Sequence, residues 1–354
     1  MPTLAAISKI DFPFKIEQEK VKTIAQELFA PSFPKIERML NVFDNTEIKT
    51  RNLCKPIEHY STIHSFEEQN KEFIQVSLDY SVEAIEKCIA TAAIEKETIT
   101  DIIFISTTGL ATPSVDALII NKMKLHENIN RMSLFGMGCA GGVAGFAKAS
   151  TLAMANPNAV VLLVVVELCS LTFLRNDLSK SNFIGTSLFA DGVSALIITG
   201  DNHTNSAQSQ VFYLASQSKF YNDTLDVMGW EFLDNGFKVL FSKDIPTIIF
   251  NNISKDIISF LDKHQLKLSD IKNFIFHPGG KKVLSAYEEA LKVKGDFLKN
   301  TREIMNEYGN MSSATVLYVL HRFLTQGFDD GYGLMVSMGL GFTCEMALLQ
   351  MKNN

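Results

Sequence analysis

Hydrophobic and polar positions along the chain follow two periods. From Ala159 to Val166 the run is unbroken, Ala-Val-Val-Leu-Leu-Val-Val-Val, and it ends at Glu167. It is too short to cross a bilayer, and it predicts a central strand covered on both faces. Asn70 to Lys96 and Ile248 to His264 instead carry apolar residues at helical spacing. Each is followed by a polar Ser/Thr-Asp-Ile step, an apolar strand and a glycine-containing loop. The first copy runs Ile99-Thr100-Asp101-Ile102-Ile103-Phe104-Ile105 into Ser106-Thr107-Thr108-Gly109. The second runs Leu268-Ser269-Asp270-Ile271-Lys272-Asn273-Phe274-Ile275-Phe276 into His277-Pro278-Gly279-Gly280. This echo predicts two related α/β halves, residues 1–210 and 211–354.

The remaining pattern agrees. Ala144 to Ala155 reads as a helix that stops at Asn156-Pro157, where proline disfavours continuation. Val193 to Thr199 reads as a strand, and Ser285 to Leu291 and Ser313 to Thr325 as helices. Gly333 to Met338 and Thr343 to Gln350 read as a strand pair around Gly339-Leu340-Gly341. Helices and strands therefore alternate throughout an α/β chain.

Composition narrows the function. A chain of 354 residues, 46% of them hydrophobic, supports two domains or one large duplicated one. A net charge of −6 with no long basic run argues against a nucleic-acid surface. The five cysteines are widely spaced with no Cys-x-x-Cys pair, which argues against a disulfide framework or zinc site and fits a reducing, cytoplasmic setting. The first residues lack the basic-then-apolar pattern of a secretory signal, and no membrane insertion is expected.

Three segments hold candidate chemistry. Phe135-Gly136-Met137-Gly138-Cys139-Ala140-Gly141-Gly142 places one thiol among four glycines, just before a helix. Glycine is costly in chain entropy, and a helix N-terminus favours thiolate, so Cys139 is a candidate nucleophile. The alternative is a small residue filling a tight turn. His277 ends an apolar strand and opens a glycine-rich turn, the end of a strand where ligands collect in α/β sheets. Its alternative is a turn-capping histidine. Asn310 precedes a helix whose first turn holds small residues. It reads either as a cap or as an amide donor to a developing oxyanion.

The order of these motifs adds more than any one of them. The chain shows Ser106-Thr107-Thr108-Gly109-Leu110-Ala111-Thr112-Pro113-Ser114, then Gly138-Cys139-Ala140-Gly141-Gly142, then Leu188-Phe189-Ala190-Asp191-Gly192. His277-Pro278-Gly279-Gly280, Gly309-Asn310-Met311-Ser312-Ser313-Ala314 and Met338-Gly339-Leu340-Gly341-Phe342 follow. From about Thr46 onward this set resembles the type III polyketide synthases, the chalcone-synthase-like branch of the thiolase superfamily. The resemblance implies a duplicated thiolase fold in five layers, α/β/α/β/α, and a homodimer. It implies a Cys139–His277–Asn310 triad acting on acyl-CoA and malonyl-CoA, with no metal, no tightly bound cofactor and no carrier protein.

It further implies a gatekeeper at Phe189 and a cavity lined by Thr107, Thr108, Cys169, Thr172, Ser312, Gly339 and Gly341. Thr112 would reach a partner subunit's cavity. Lys49, Arg51, Gly279 and Gly280 would meet coenzyme A, although solvated surface charge is the plain reading of Lys49 and Arg51. Backbone N–H groups near Cys139 and in the Gly339-Leu340-Gly341 loop are candidate oxyanion donors. Three features depart from plant relatives. The C-terminal loop lacks a proline; the basic stretch is thin at Asn41, Val42 and Asn45; and a second gatekeeper aromatic cannot be placed between Phe237 and Phe241. Glu167-Leu168-Cys169-Ser170-Leu171-Thr172-Phe173 is similar to bacterial alkylresorcinol, alkylpyrone and tetrahydroxynaphthalene synthases. The expectation is a fatty acyl-CoA starter, several malonyl-CoA extensions and closure to an alkylpyrone or alkylresorcinol. The rivals are a ketoacyl-carrier-protein synthase III-like enzyme making one condensation, and a non-catalytic thiolase-fold scaffold.

Overall fold

The computed structural model describes residues 1–33, 35–203 and 210–353. The apolar run predicted as a central strand is Val160–Leu168, buried along its whole length. Its side chains divide by parity. Val161, Leu163 and Val165 enter one core, whereas Val160, Leu162, Val164 and Val166 enter another. Period-two alternation with both faces apolar is what a strand between two helical layers requires.

Nine strands form one hydrogen-bonded sheet with an internal repeat. In the first half Thr3–Lys9 pairs antiparallel with Asp191–Thr199, which pairs antiparallel with Val160–Leu168, which pairs parallel with Asp101–Ile105. In the second half Val211–Phe220 pairs antiparallel with Thr343–Met351, which pairs antiparallel with Gly331–Gly339, which pairs parallel with Ile271–Phe276. The order and directions are the same, and the first half adds Asn130–Leu134 at its edge. The halves join at a single residue pair, Thr3 and Phe212.

Five layers follow from the cores. The helices Gly141–Ala155 and Thr315–Gln326 pack together between the inner faces of both half-sheets. The outer face of the first half carries Phe66–Ala92 and Val115–Met123. The outer face of the second carries Ile245–Asp262 and Lys281–Leu291. This is the α/β/α/β/α arrangement that the family resemblance implies.

Two details differ from the pattern reading. The central helix begins at Gly141 rather than Ala144, because its glycines serve packing. A Cβ on Gly142 would lie 2.2 Å from the Ser313 carbonyl oxygen of the neighbouring central segment, and one on Gly145 2.4 Å from Ile105 Cδ1. Close helix approach outweighs the low helix propensity of glycine here. Outside the nine-stranded sheet lies a separate two-stranded hairpin, Met228–Leu233 with Gly236–Phe241.

Candidate active site

The thiol of Cys139 sits in a short 3-10 turn, Gly138–Ala140, that leads directly into the helix Gly141–Ala155. Three connections hold this turn. Gly138 N donates to Thr107 Oγ1 at 3.0 Å, and Ala140 N and Leu340 N both donate to the Met137 carbonyl. Of the backbone N–H groups near Cys139 and in the Gly339-Leu340-Gly341 loop, those of Ala140 and Leu340 are therefore committed to the turn itself. Gly339 earns its place by contact, since a Cβ there would fall 2.2 Å from Met137 O.

A string of polar contacts runs from the thiol across to the second half of the chain. Cys139 Sγ lies 3.7 Å from Ser312 Oγ. Ser312 N donates to Asn310 Oδ1 at 2.9 Å, and Asn310 Nδ2 donates to the Gly279 carbonyl at 3.3 Å, two residues beyond His277. Accepting from Ser312 N fixes the Asn310 amide, so its NH2 keeps a second hydrogen for another acceptor. Ser312 holds φ at +47°, a left-handed conformation that costs a non-glycine residue about 1–3 kcal/mol and is repaid by that bond. His277 continues the strand Ile271–Phe276, its N–H donating to Val336 O at 2.8 Å. Both ring nitrogens are buried, and among the described residues neither has a hydrogen-bond partner.

Burial sets the resting charges. It pushes the Cys139 thiol up to about 12, against a small lowering from Ser312, and holds His277 down at about 3. The pair rests as neutral thiol and neutral imidazole, not as a standing ion pair. With both ring nitrogens open, the imidazole can accept one hydrogen bond and donate another to a group brought into the site.

Sequence reasoning passed over Glu167 as a site residue. Its carboxyl is buried, accepting from Ser313 Oγ at 2.5 Å and Thr107 N at 3.1 Å, and burial raises it to about 7. It ties the Cys139 turn, through Thr107, to the segment after Asn310. A charged residue ending an apolar run was the available signal.

Two cavities meet near the thiol. A chamber of about 30 Å³ is bounded by Thr107, Thr108, Cys139, Ser312, Phe241 and Leu340, among others. Thr108 Oγ1 also accepts from Leu168 N at 2.9 Å. Beside it lies a cavity of about 530 Å³ whose walls include Val21, Ile24, Leu28, Leu53, Thr172 and Phe237. Phe189 and Cys169 line both. Phe189 is stacked on Phe241 with centroids 5.6 Å apart, while Phe237 faces the larger cavity, 6.0 Å from Trp230. The two aromatics left unresolved in sequence thus sit on different sides.

The other expected residues, Arg51 excepted, fall outside both cavities. Gly339 and Gly341 flank Leu340 without lining either one. Thr112 is exposed, next to a cis peptide bond with Pro113. Gly279 and Gly280, at φ +60° and +152°, open the helix Lys281–Leu291, and Lys49 is exposed. Arg51 corrects the reading of a solvated cation. It is 3% exposed and donates from Nη1 to the carbonyls of Thr186 and Phe189, so it braces the backbone of Phe189 instead of meeting solvent. The strand Thr50–Leu53, paired with Phe14–Glu17, turns it inward.

Duplicated half-sheets around two buried central helices, with a cysteine at the start of one and a histidine and asparagine from the other half, define a thiolase-fold condensing enzyme. The sequence matches the model for chalcone and stilbene synthases over residues 37–202 for the N-terminal domain and 212–352 for the C-terminal domain. The chain belongs to this family, the type III polyketide synthases, and is a carbon–carbon bond-forming acyltransferase. It is 40% identical over 345 residues to "Putative chalcone synthase" of Bacillus subtilis strain 168, covering 95% of this chain and 94% of that one. It is 33% identical to 1,3,6,8-tetrahydroxynaphthalene synthase of Streptomyces peucetius subsp. caesius, over 86% of this chain and 81% of the relative. The crystal structure of 1,3,6,8-tetrahydroxynaphthalene synthase from Streptomyces coelicolor A3(2) superposes with a TM-score of 0.93 at 26% identity, covering 99% of this chain and all of that one. Among the described residues no helix is long and apolar enough to cross a membrane.

Proposed function

We propose that this enzyme loads a fatty acyl-CoA starter on Cys139, extends it iteratively with malonyl-CoA and closes the product to an alkylpyrone or alkylresorcinol. One observation carries the starter: the cavity of about 530 Å³, walled largely by aliphatic and aromatic side chains, that adjoins the thiol chamber. An alkyl tail is favoured there by roughly 0.8 kcal/mol per buried methylene.

The residues divide the work. Cys139 passes its proton to His277, and the helix N-terminus of Gly141–Ala155 favours the thiolate left behind. The thiolate attacks the starter thioester, and coenzyme A leaves as a thiol with the proton returned from His277. When malonyl-CoA loses carbon dioxide, the enolate oxygen accepts hydrogen bonds from His277 and from the free Asn310 N–H. Its carbon attacks the Cys139 thioester and frees the sulfur for the lengthened chain. Thr107, Thr108, Ser312 and Phe189 shape this chamber.

Gly279, Gly280 and the first N–H groups of the helix Lys281–Leu291, near the exposed Lys49, suit the phosphates of coenzyme A. The edge strand Asn130–Leu134, with exposed Met132 and Phe135, suits pairing with a second copy, and its Arg131 donates to Ser114 Oγ, two residues beyond Thr112. The division of the chain near residue 210 follows the repeat in the sheet. Five free cysteines suit a reducing cytoplasm.

The test is incubation of the purified protein with dodecanoyl-CoA and malonyl-CoA, without carrier protein, followed by mass spectrometry. The expected products carry two or more malonyl-derived units. A single condensation and nothing longer would overturn the reading in favour of a ketoacyl synthase III-like enzyme.

A further inference from the structure

The chamber beside Cys139, at about 30 Å³, is small against the space next to it. A chain that gains a two-carbon ketide unit at each turn cannot remain there. The ample space adjoining it is the cavity of about 530 Å³, and four residues line both spaces: Cys169, Phe189, Trp230 and Val239. These four form the neck through which a growing chain passes.

Three of them leave little room for adjustment by their own side chains. Phe189 is clamped, with its neighbours' backbone bonded to Asn310 on both sides, Arg51 on its carbonyl and Phe241 on its ring. Cys169 and Val239 are small and buried. Trp230 is the largest of the four and is half-buried. It sits directly across from Val239 on the separate two-stranded hairpin, so it narrows the neck from an element that the main sheet does not hold. Its indole N–H makes no hydrogen bond within the described residues. The hairpin is held by side-chain packing, Phe237 against Phe66 and Phe232 against Phe135, and not by hydrogen bonds of the main sheet.

We propose that Trp230 is a specificity-determining residue that partitions the thiol chamber from the acyl cavity, and so sets which starters enter and how far each is extended. This rests on the reading of the larger cavity as the acyl site. The alkyl tail lies beyond the indole, and each ketide unit added at Cys139 drives the chain further through the neck.

Trp230 is the only tryptophan in the chain, so intrinsic emission reports its surroundings without interference. Wild-type protein is acylated with dodecanoyl-CoA or acetyl-CoA, and loading on Cys139 is verified by peptide mass. Dodecanoyl loading is expected to shift the emission, and acetyl loading to leave it unchanged. In parallel, W230A is expected to alter the dodecanoyl-to-acetyl ratio of kcat/KM by roughly ten-fold or more and to lengthen acetyl-primed products, while W230F stays close to wild type. Folded W230A with the wild-type ratio and product lengths overturns the proposal. If W230A does not fold, emission decides, and dodecanoyl loading without a shift overturns it. Absence of dodecanoyl on wild-type Cys139 sinks the acyl-cavity reading itself, and the partition with it. Loading without either effect sinks the partition alone.

Discussion

The thiol chamber and the acyl cavity adjoin, yet they are built in opposite ways. The reactive side of the chamber is assembled from the central layers: the turn at Cys139, the segment Asn310–Ala314 and the strand end at Glu167 are all buried and tied by hydrogen bonds, and the hairpin Met228–Phe241 supplies a further wall. The cavity is walled by outlying pieces, including the helix Gln18–Phe29, the turn at Ile57–Ser61 and the hairpin at Met228–Phe241. Chemistry that demands sub-ångström placement is lodged where packing tolerates no movement. Selection of a substrate is lodged where walls can be rebuilt without disturbing that placement.

This division predicts a gradient of effects. The largest belongs to the chamber. C139S is expected to lower polyketide formation by about 10³-fold or more, because a hydroxyl in this site has no comparable nucleophilicity. A stopped-time product assay with an unchanged melting temperature checks it; activity within ten-fold of wild type would remove Cys139 from the chemistry. Next is N310A, which loses the amide donor and is expected to cost roughly 10²–10³ in kcat with a smaller change in KM for malonyl-CoA.

Glu167 comes third, through stability rather than rate. Its folded carboxyl is raised to about 7, so its contribution is fully present below pH 4.5 and is lost as pH rises to about 7. His277, held at about 3, works in the other direction, adding stability as pH rises from about 3 to 6.5. Their overlap blunts the pH dependence of the wild type. E167Q removes the falling arm, and urea denaturation is expected to find it gaining stability from pH 5 to 7.5 relative to wild type, by about 3 kcal/mol at most. A parallel pair of curves would contradict the buried-acid account. G142A is expected to cost about 1–3 kcal/mol by forcing the central helices apart at Ser313 O. Smallest is R302A at the periphery. It breaks surface ion pairs to Glu47 and Glu288 and should change thermal stability by no more than about 1 kcal/mol.

The chamber was largely legible in the sequence and the cavity largely was not. The apolar strand ending at Glu167, the glycine-flanked Cys139 and the strand-terminal His277 each carry local patterns, because buried backbone close to a thiol restricts residue choice. The cavity's walls come from segments more than two hundred residues apart, such as Val21 and Trp230, and no local pattern reports their meeting. The hairpin itself had a signal in Asp234-Asn235-Gly236 between two apolar runs. Arg51 was misread because charge predicts solvent, whereas here carbonyls of Thr186 and Phe189 take its place. The end of the apolar run marked Glu167, but not the partners that make its burial tolerable, Ser313 and Thr107, which lie far along the chain.

The strand Thr3–Lys9 has a consequence for how the molecule is made. Its partner on one side ends at Thr199, a separation of 196 residues, and on the other it touches Phe212. At ordinary elongation rates that partner leaves the ribosome roughly 10–40 s after the strand does. Throughout that interval Leu4, Ala6 and Ile7 have no sheet to enter. Synthesis of this enzyme therefore includes a waiting period in which an early apolar segment depends on chaperones or on its own brevity to stay soluble, and the two half-sheets are sutured only once the second has begun to emerge.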